Sequence, residues 1–265
     1  DGLDPEDVEA AVERLRTGEA DAPADWPALA VERGFAGDEA EYYERLHEAT
    51  TAAAREAVRE RERADDQQLV HAVRAVEDCE RTANELAERV AEWAGSRYDD
   101  AGTGVAYARE LTASDRELAA SEPESFDDPA DPADRRLVAL AERVAGLADE
   151  ADELRRFVEE TAPSVAPNLS ALAGPVLAAR LIALAGGLEP LAKKPAGTVQ
   201  VLGAEDALFA HLRGSAPSPK HGVIYTHEYV RGTRPDDRGS AARALAGKLA
   251  IAARVDHYSG ERKPE

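Results

Sequence analysis

The chain is expected to fold as a mostly α-helical protein in three parts. These are a small N-terminal helical region, a long antiparallel coiled-coil hairpin and a compact helical C-terminal domain. Three observations carry this expectation. Of 265 residues, 43% are hydrophobic but much of that is alanine, with only 5% aromatic and 32% charged. Such a composition suits long exposed helices better than a thick β-rich core. Apolar residues recur at intervals of three and four along two stretches, each of about 26 residues, the mark of helices that pair. Finally, the net charge changes sign near Pro167, which separates a basic module from an acidic body.

Residues 1–66 read as short helices. Val8, Val12 and Leu15 mark one, and the stretch Gly18 to Pro27 interrupts it. Tyr42, Tyr43 and Leu46 begin another, which runs through the charged stretch Arg55 to Arg63. There the charges alternate in sign, as on a solvated helix face.

Residues 67–160 carry the hairpin. Leu69, Val73, Val76, Cys79, Ala83, Leu86, Val90 and Trp93 form one seam. Leu137, Leu140, Val144, Leu147, Ala151, Leu154 and Val158 form the other, spaced 3, 4, 3, 4, 3, 4. Each helix would reach roughly 39 Å at 1.5 Å per residue. Between them, residues 95–132 make a polar tip rich in Asp, Gly and Pro. Glu-Pro-Glu at 122–124 and Asp-Asp-Pro-Ala-Asp-Pro at 127–132 cannot be helix interior.

Residues 161–265 should form the compact domain. Pro163, Pro167, Pro175 and Pro190 punctuate short apolar helices such as Leu177 to Leu184. Gly186-Gly187 ends a helix rather than cradling phosphate, because no suitably spaced lysine follows. Residues 204–212 form an amphipathic helix, Val223 to Tyr225 a brief extended piece, and Arg238 to Val255 a further helix.

Lys and Arg number 32 against 53 Asp and Glu, a net charge of −21. From Pro167 onward there are 13 basic and 9 acidic residues, a net of +4, and the preceding 166 residues carry −25. Only five lysines occur beside 27 arginines. Abundant acid, abundant alanine and scarce lysine resemble the cytoplasmic proteins of salt-loving archaea, in which high negative charge maintains solubility. The lone cysteine, Cys79, allows no intrachain disulfide and reads as a small buried residue of its seam. No run approaches the roughly 20 apolar residues of a membrane span, and no signal peptide is evident. The chain holds no methionine, so residues are expected before Asp1. His211, His221, His227 and His257 lack zinc spacing, and no nucleophile elbow, phosphate loop or dinucleotide fingerprint is present. An intrinsic enzyme is not expected.

Several blocks then carry a family signature. They are Val199 to Phe209 (VQVLGAEDALF), Pro219 to Tyr225 (PKHGVIY), Val-Arg-Gly at 230–232, Arg238 to Leu249 (RGSAARALAGKL) and Ala252 to Asp256 (AARVD). Together with Ala166-Pro-Asn-Leu169 and Ala185 to Leu191, they resemble the Nop domain. The hairpin beginning Asp66-Gln-Gln-Leu-Val70 is similar to the coiled coil of archaeal Nop-family core proteins of box C/D ribonucleoproteins. The resemblance covers roughly residues 67–265.

This resemblance implies a scaffold of RNA-guided 2′-O-methylation. The C-terminal domain would bind box C/D guide RNA at a kink-turn, together with a small ribosomal-type kink-turn protein. The coiled coil would pair two copies into a homodimer. The N-terminal region, shorter than is typical, would hold fibrillarin, and S-adenosylmethionine would be bound by fibrillarin rather than by this chain. A splicing-type Nop-domain factor that binds a kink-turn without a methyltransferase is the rival reading, and the archaeal-like composition disfavours it. The location implied is cytoplasmic, with no membrane partner.

For RNA contact the sequence nominates Lys220 and His221 on a Pro-bounded turn, and Arg231 and Arg234 in a Gly-Pro loop. It adds Arg238, Arg243 and Lys248 on the last helix. Arginine forks match phosphate. Arg243 and Lys248, five residues apart, diverge by roughly 140° around a helix, so the three do not make one stripe. By resemblance, the helix beginning Gly203, Ala204, Glu205, Asp206 and carrying Phe209 also belongs to the site. The family commonly has a lysine where Asp206 stands and an arginine where Ala210 stands, so a cation-mediated contact is weakened here.

Overall fold

Helix-forming stretches bounded by Asp, Pro and Gly account for nearly all the regular structure. The computed structural model describes Glu13, residues 24–121 and residues 131–262, with the backbone alone from 114 to 121. The expected helix around Val8, Val12 and Leu15 lies outside the described residues. The chain divides into two units, Asp1–Ala64 and Asp65–Glu265.

The first unit holds α1 (Trp26–Glu32) and α2 (Glu39–Glu62). Asp25 caps α1 by accepting from the Ala28 N–H at 3.3 Å, and Asp38 caps α2 through Glu41 at 2.8 Å. Such caps satisfy N–H groups that have no partner within the helix. Pro27 stands in the first turn of α1 rather than in a break, a position where its missing N–H costs nothing. Glu41 accepts from the Gly37 N–H and from Arg45, which hold its carboxyl below the usual range.

In the second unit, α3 (Asp65–Gly95) and α5 (Pro132–Val165) pair as the expected hairpin. Distally they bury Ala83, Ala87, Val90 and Ala94 against Leu137, Ala141 and Val144. Alanine at these positions lets the backbones approach closely. Trp93 departs from the expected seam: it is 36% exposed, and Ala94 takes the buried position. Cys79 is only half-buried. Asp131 caps α5 through Ala133 at 3.0 Å, with Pro132 in the first turn. Arg97 donates to Asp131 and Asp134, and the Tyr98 hydroxyl to Asp134 at 2.8 Å, which ties the two arms at the tip.

Part of the expected polar tip is helical. Within 95–132 lies α4 (Gly104–Ser121), which packs Ala108 fully and Val105 and Leu111 partly into the distal core. Arg109 reaches Asp149 at 2.7 Å. Gly and Pro at its borders marked the segment as loop, but the spacing of Val105, Ala108 and Leu111 gives α4 an apolar face that α3 and α5 can bury. Pro163 does not end α5, which continues to Val165.

Short helices build the C-terminal domain: α6 (Pro167–Ala173), α7 (Pro175–Ala185), α8 (Leu188–Lys193), α9 (Ala196–Val201), α10 (Glu205–Leu212), α11 (Glu228–Arg231) and α12 (Arg238–Tyr258). Pro167 and Pro175 open their helices, and Gly186, left-handed at φ 87°, closes α7. Val223–Thr226 is a 3-10 turn rather than an extended piece, because Tyr225 N–H bonds back to Gly222 O at 3.0 Å. Leu181, Ile182, Leu191, Ile224 and Leu249 are fully buried here, and one continuous core joins them to Leu69, Val73 and Val158 at the hairpin base. The base is clamped further: Gln67 donates to Gly186 O at 3.2 Å, and Asp66 accepts from the Leu188 N–H at 2.8 Å.

A buried carboxylate closes the domain. Asp256, near the end of α12, accepts from the main-chain N–H of Asn168 (2.9 Å) and of Leu169 (2.8 Å), and from the Asn168 amide at 2.6 Å. It supplies in trans the cap that Ala166 cannot give α6. Arg254 does the converse, donating to Ala192 O and Lys194 O at the C-terminal end of α8. The AARVD and APNL blocks therefore hold each other. No single helix among the described residues is long and apolar enough to cross a membrane. α6 and α7 together pass on length and composition, but they are bent by 118° and contribute Leu169, Leu181 and Ile182 to the core.

Candidate nucleic-acid interface

Two separated blocks of sequence meet where α9 ends. Gly222 N–H bonds to Gln200 O at 2.9 Å, and Val223 N–H to Leu202 O at 2.7 Å. Only glycine fits at 222, since a Cβ there would lie 1.9 Å from Leu202 O. Gly203 takes φ +80° directly afterwards and turns the chain into α10.

This pairing presents the Lys220–His221 turn at the surface. Lys220 is exposed, and its aliphatic stem runs about 3.7 Å from where a Cβ would sit on Gly239, in the first turn of α12. The His221 ring stacks on Tyr225, with centroids 4.6 Å apart and planes 19° from parallel. The Arg238 guanidinium lies over the same tyrosine, 5.4 Å from its centroid. Arg238 also donates to Thr233 O at 3.1 Å and Arg231 O at 3.4 Å, which sets the course of the Gly-Pro loop. His227 fixes the start of that loop. Its Nδ1 accepts from the Tyr229 N–H at 3.1 Å, so Nε2 carries the proton and donates to Leu172 O at 3.1 Å.

His221 and Arg238 thus converge on Tyr225, the Lys220 stem lies along Gly239 next to Arg238, and Arg231 is exposed nearby. Arg234 is 89% exposed and pairs with Asp237 at 3.2 Å. Arg243 and Lys248 are exposed on α12, but they stand about 1.4 and 2.8 turns beyond Arg238, outside the cluster. The cluster offers ammonium and guanidinium groups beside an imidazole–phenol stack, the chemistry that recognises phosphates and unpaired bases.

α10 has a different character. Glu205 accepts from the Gly203 N–H at 2.8 Å, Asp206 is exposed in the first turn, and no residue of the helix is buried. Ala204 stands at its N-cap with no side-chain bond. Phe209 (55%) and Leu212 (71%) face outward, so the helix is less amphipathic than its sequence implies. It holds no Lys or Arg, and Arg213 stands only at its C-cap.

Sequence reading passed over Tyr225, Gln200 and Asp256 as functional or organising residues, although all three lie inside the quoted blocks. A glutamine and an aspartate amid apolar helix were the available signal, since a buried polar side chain needs a partner. Among the described residues, no group of three or more His, Cys, Asp or Glu side chains could hold a metal ion.

Fold and site define a helical-hairpin protein whose C-terminal domain gathers exposed cations around a stacked aromatic pair. Residues 110–265 match the family described as Nop: snoRNA binding domain, fibrillarin, and the chain belongs to that family. It is 35% identical over 250 residues to a protein described as an uncharacterised NOP5 family protein of Methanocaldococcus jannaschii, covering 85% of this chain and 60% of the relative. It is 34% identical over 221 residues to nucleolar protein 58 of Scheffersomyces stipitis, and 35% over 218 to that of Schizosaccharomyces pombe. In both cases 43% of the relative is covered. The chain therefore spans about half the length of these relatives. A solved structure described as a fibrillarin/Nop5p complex shares the fold, with a TM-score of 0.51, 24% identity, and 98% of this chain and 87% of that chain covered.

Proposed function

We propose that the chain is a scaffold subunit of a box C/D-type ribonucleoprotein that directs RNA 2′-O-methylation. The observation that carries this reading is the family match over 110–265, which spans the Lys220–His221–Tyr225–Arg238 cluster. The C-terminal domain binds a kink-turn RNA together with a small ribosomal-type kink-turn protein. Lys220, Arg231 and Arg238 meet phosphates, and His221 on Tyr225 offers a stacking face to an unpaired base. Arg234, Arg243 and Lys248 add diffuse positive charge. Gly203 to Phe209 contribute shape rather than cations, because Asp206 stands where a lysine is usual.

The hairpin pairs two copies, and the N-terminal unit recruits fibrillarin, which binds S-adenosylmethionine and performs the methyl transfer. The chain itself is not a catalyst. It works in the cytoplasm, and its acidic body (−25 before Pro167) suits a salt-rich one. In molar salt, release of counterions from RNA supplies little affinity, so shape and the partner protein carry most of the binding. An electrophoretic shift with kink-turn RNA and its kink-turn protein in molar KCl tests this directly. A supershift on adding the chain is expected, and its absence would refute the proposal. Light scattering should report a dimer, and a monomer at assay concentration would remove the pairing role.

A further inference from the structure

We infer that Gln200 is a positioning residue that acts on RNA through Lys220, an inference that rests on the proposed function above. Gln200 lies in α9 between two valines and is almost fully buried. A buried amide without a partner is costly, yet its Nε2 reaches out of the core to one group, Lys220 O, at 2.7 Å. Its main-chain oxygen accepts from Gly222 at 2.9 Å. One residue therefore holds the chain on either side of His221.

Apart from the stack of His221 on Tyr225 and the Lys220 stem on Gly239, this turn is tied down by Gln200. Among the described residues, no other hydrogen bond reaches residues 217–221. Lys220 is exposed and contributes only its stem, laid along Gly239. Without the Gln200 bond, the Lys220 peptide can rotate, and the Lys220 stem loses its course along Gly239 while the imidazole is held by Tyr225 alone. The direct contact belongs to Lys220 and His221, while Gln200 sets the geometry in which they make it.

The test is a double-mutant cycle on the full chain, scored by affinity for kink-turn RNA bound to its kink-turn protein in molar KCl. Gln200→Leu keeps the volume and removes the donor. Gln200→Met serves as a second variant should the first not fold. Either should weaken binding about tenfold when Lys220 is present and less than about twofold in a Lys220→Ala background, the mark of coupled residues. The salt slope should fall by about one in both Gln200→Leu and Lys220→Ala. Equal losses in the two backgrounds, or no loss in either, would overturn the inference, because a merely structural glutamine adds its cost independently.

A second readout needs no RNA. Exchange of the Gly222 N–H in the free protein should speed at least about tenfold in Gln200→Leu, as the local pairing opens. Unchanged exchange overturns the anchoring even where RNA binds. A wild-type chain that forms no ternary complex would instead overturn the proposed function, and with it the RNA part of this inference.

Discussion

Replacing Asp256 with asparagine should unlatch the C-terminal domain while hardly changing its shape. The carboxylate accepts three hydrogen bonds, two from the first turn of α6 and one from the Asn168 amide. Asparagine keeps one acceptor oxygen and turns an NH2 group toward the position of the other. If Oδ1 continues to serve Asn168, the new NH2 confronts the Leu169 N–H, and Leu169 has no exposed surface through which water could intervene. One charge-assisted bond is lost, at about 1.5–3 kcal/mol, and a buried donor is left unmet, at about 1–3 kcal/mol. These overlap, so the expected loss is about 2–4 kcal/mol. A loss near 3 kcal/mol lowers Tm by roughly 6–12 °C in a unit of this size. Urea unfolding in molar KCl, followed by far-ultraviolet circular dichroism, measures it, with an unchanged m value marking an effect on stability alone. A loss below about 1 kcal/mol would refute the role of Asp256 as the cap of α6.

Gly222→Ala should be worse than its size suggests. The methyl collides with Leu202 O, so both bonds of the Gly222–Val223 pairing break; a loss of about 2–4 kcal/mol and of RNA binding is expected in melts and gel shifts. Arg238→Lys should weaken ternary binding about tenfold, near 1.4 kcal/mol, because a compact ammonium lacks the planar fork that meets Thr233 O from Nε and Arg231 O from Nη2 and leaves further N–H groups for a phosphate; isothermal titration measures it, and affinity equal to wild type would contradict the assignment. At the hairpin tip, Asp131 is held below the usual carboxylate range by the Ala133 N–H and then by Arg97, and Asp134 by Arg97 and then Tyr98. Lowered folded values mean that this stabilisation is complete above the ordinary carboxylate value of about 4 and fades as pH falls below it. Amide protection near Arg97, taken relative to the intrinsic exchange rate at each pH, should accordingly fall below about pH 4, and Arg97→Ala should flatten that response; an unaltered protection profile would argue against the ion pairs.

Local spacing alone determined the hairpin. Leu137 to Val158 repeats at 3 and 4 because a helix brings such residues to one face, and Leu137, Val144 and Val158 are buried as expected. Helix boundaries at Pro167, Pro175 and Gly186 were equally legible, because proline and glycine act on their own dihedrals. The same local rules misjudged α4, where flanking Gly and Pro outweighed a short apolar face that forms only against two other helices. They also misplaced Trp93, whose position in the period says nothing of whether a partner covers it. The cations of the site were countable in the sequence, but their grouping was not. The Lys220 stem comes to lie along Gly239, next to Arg238, only because Gly222 admits a peptide oxygen, and His221 and Arg238, 17 residues apart, meet only on Tyr225. Asp256 and Asn168, 88 residues apart, latch only once α12 has packed on α6. Composition and periodicity report interactions between near neighbours in the chain. Bonds between distant residues exist only after the core has closed, so the tertiary structure alone decided which cations form the cluster and which polar residues hold it.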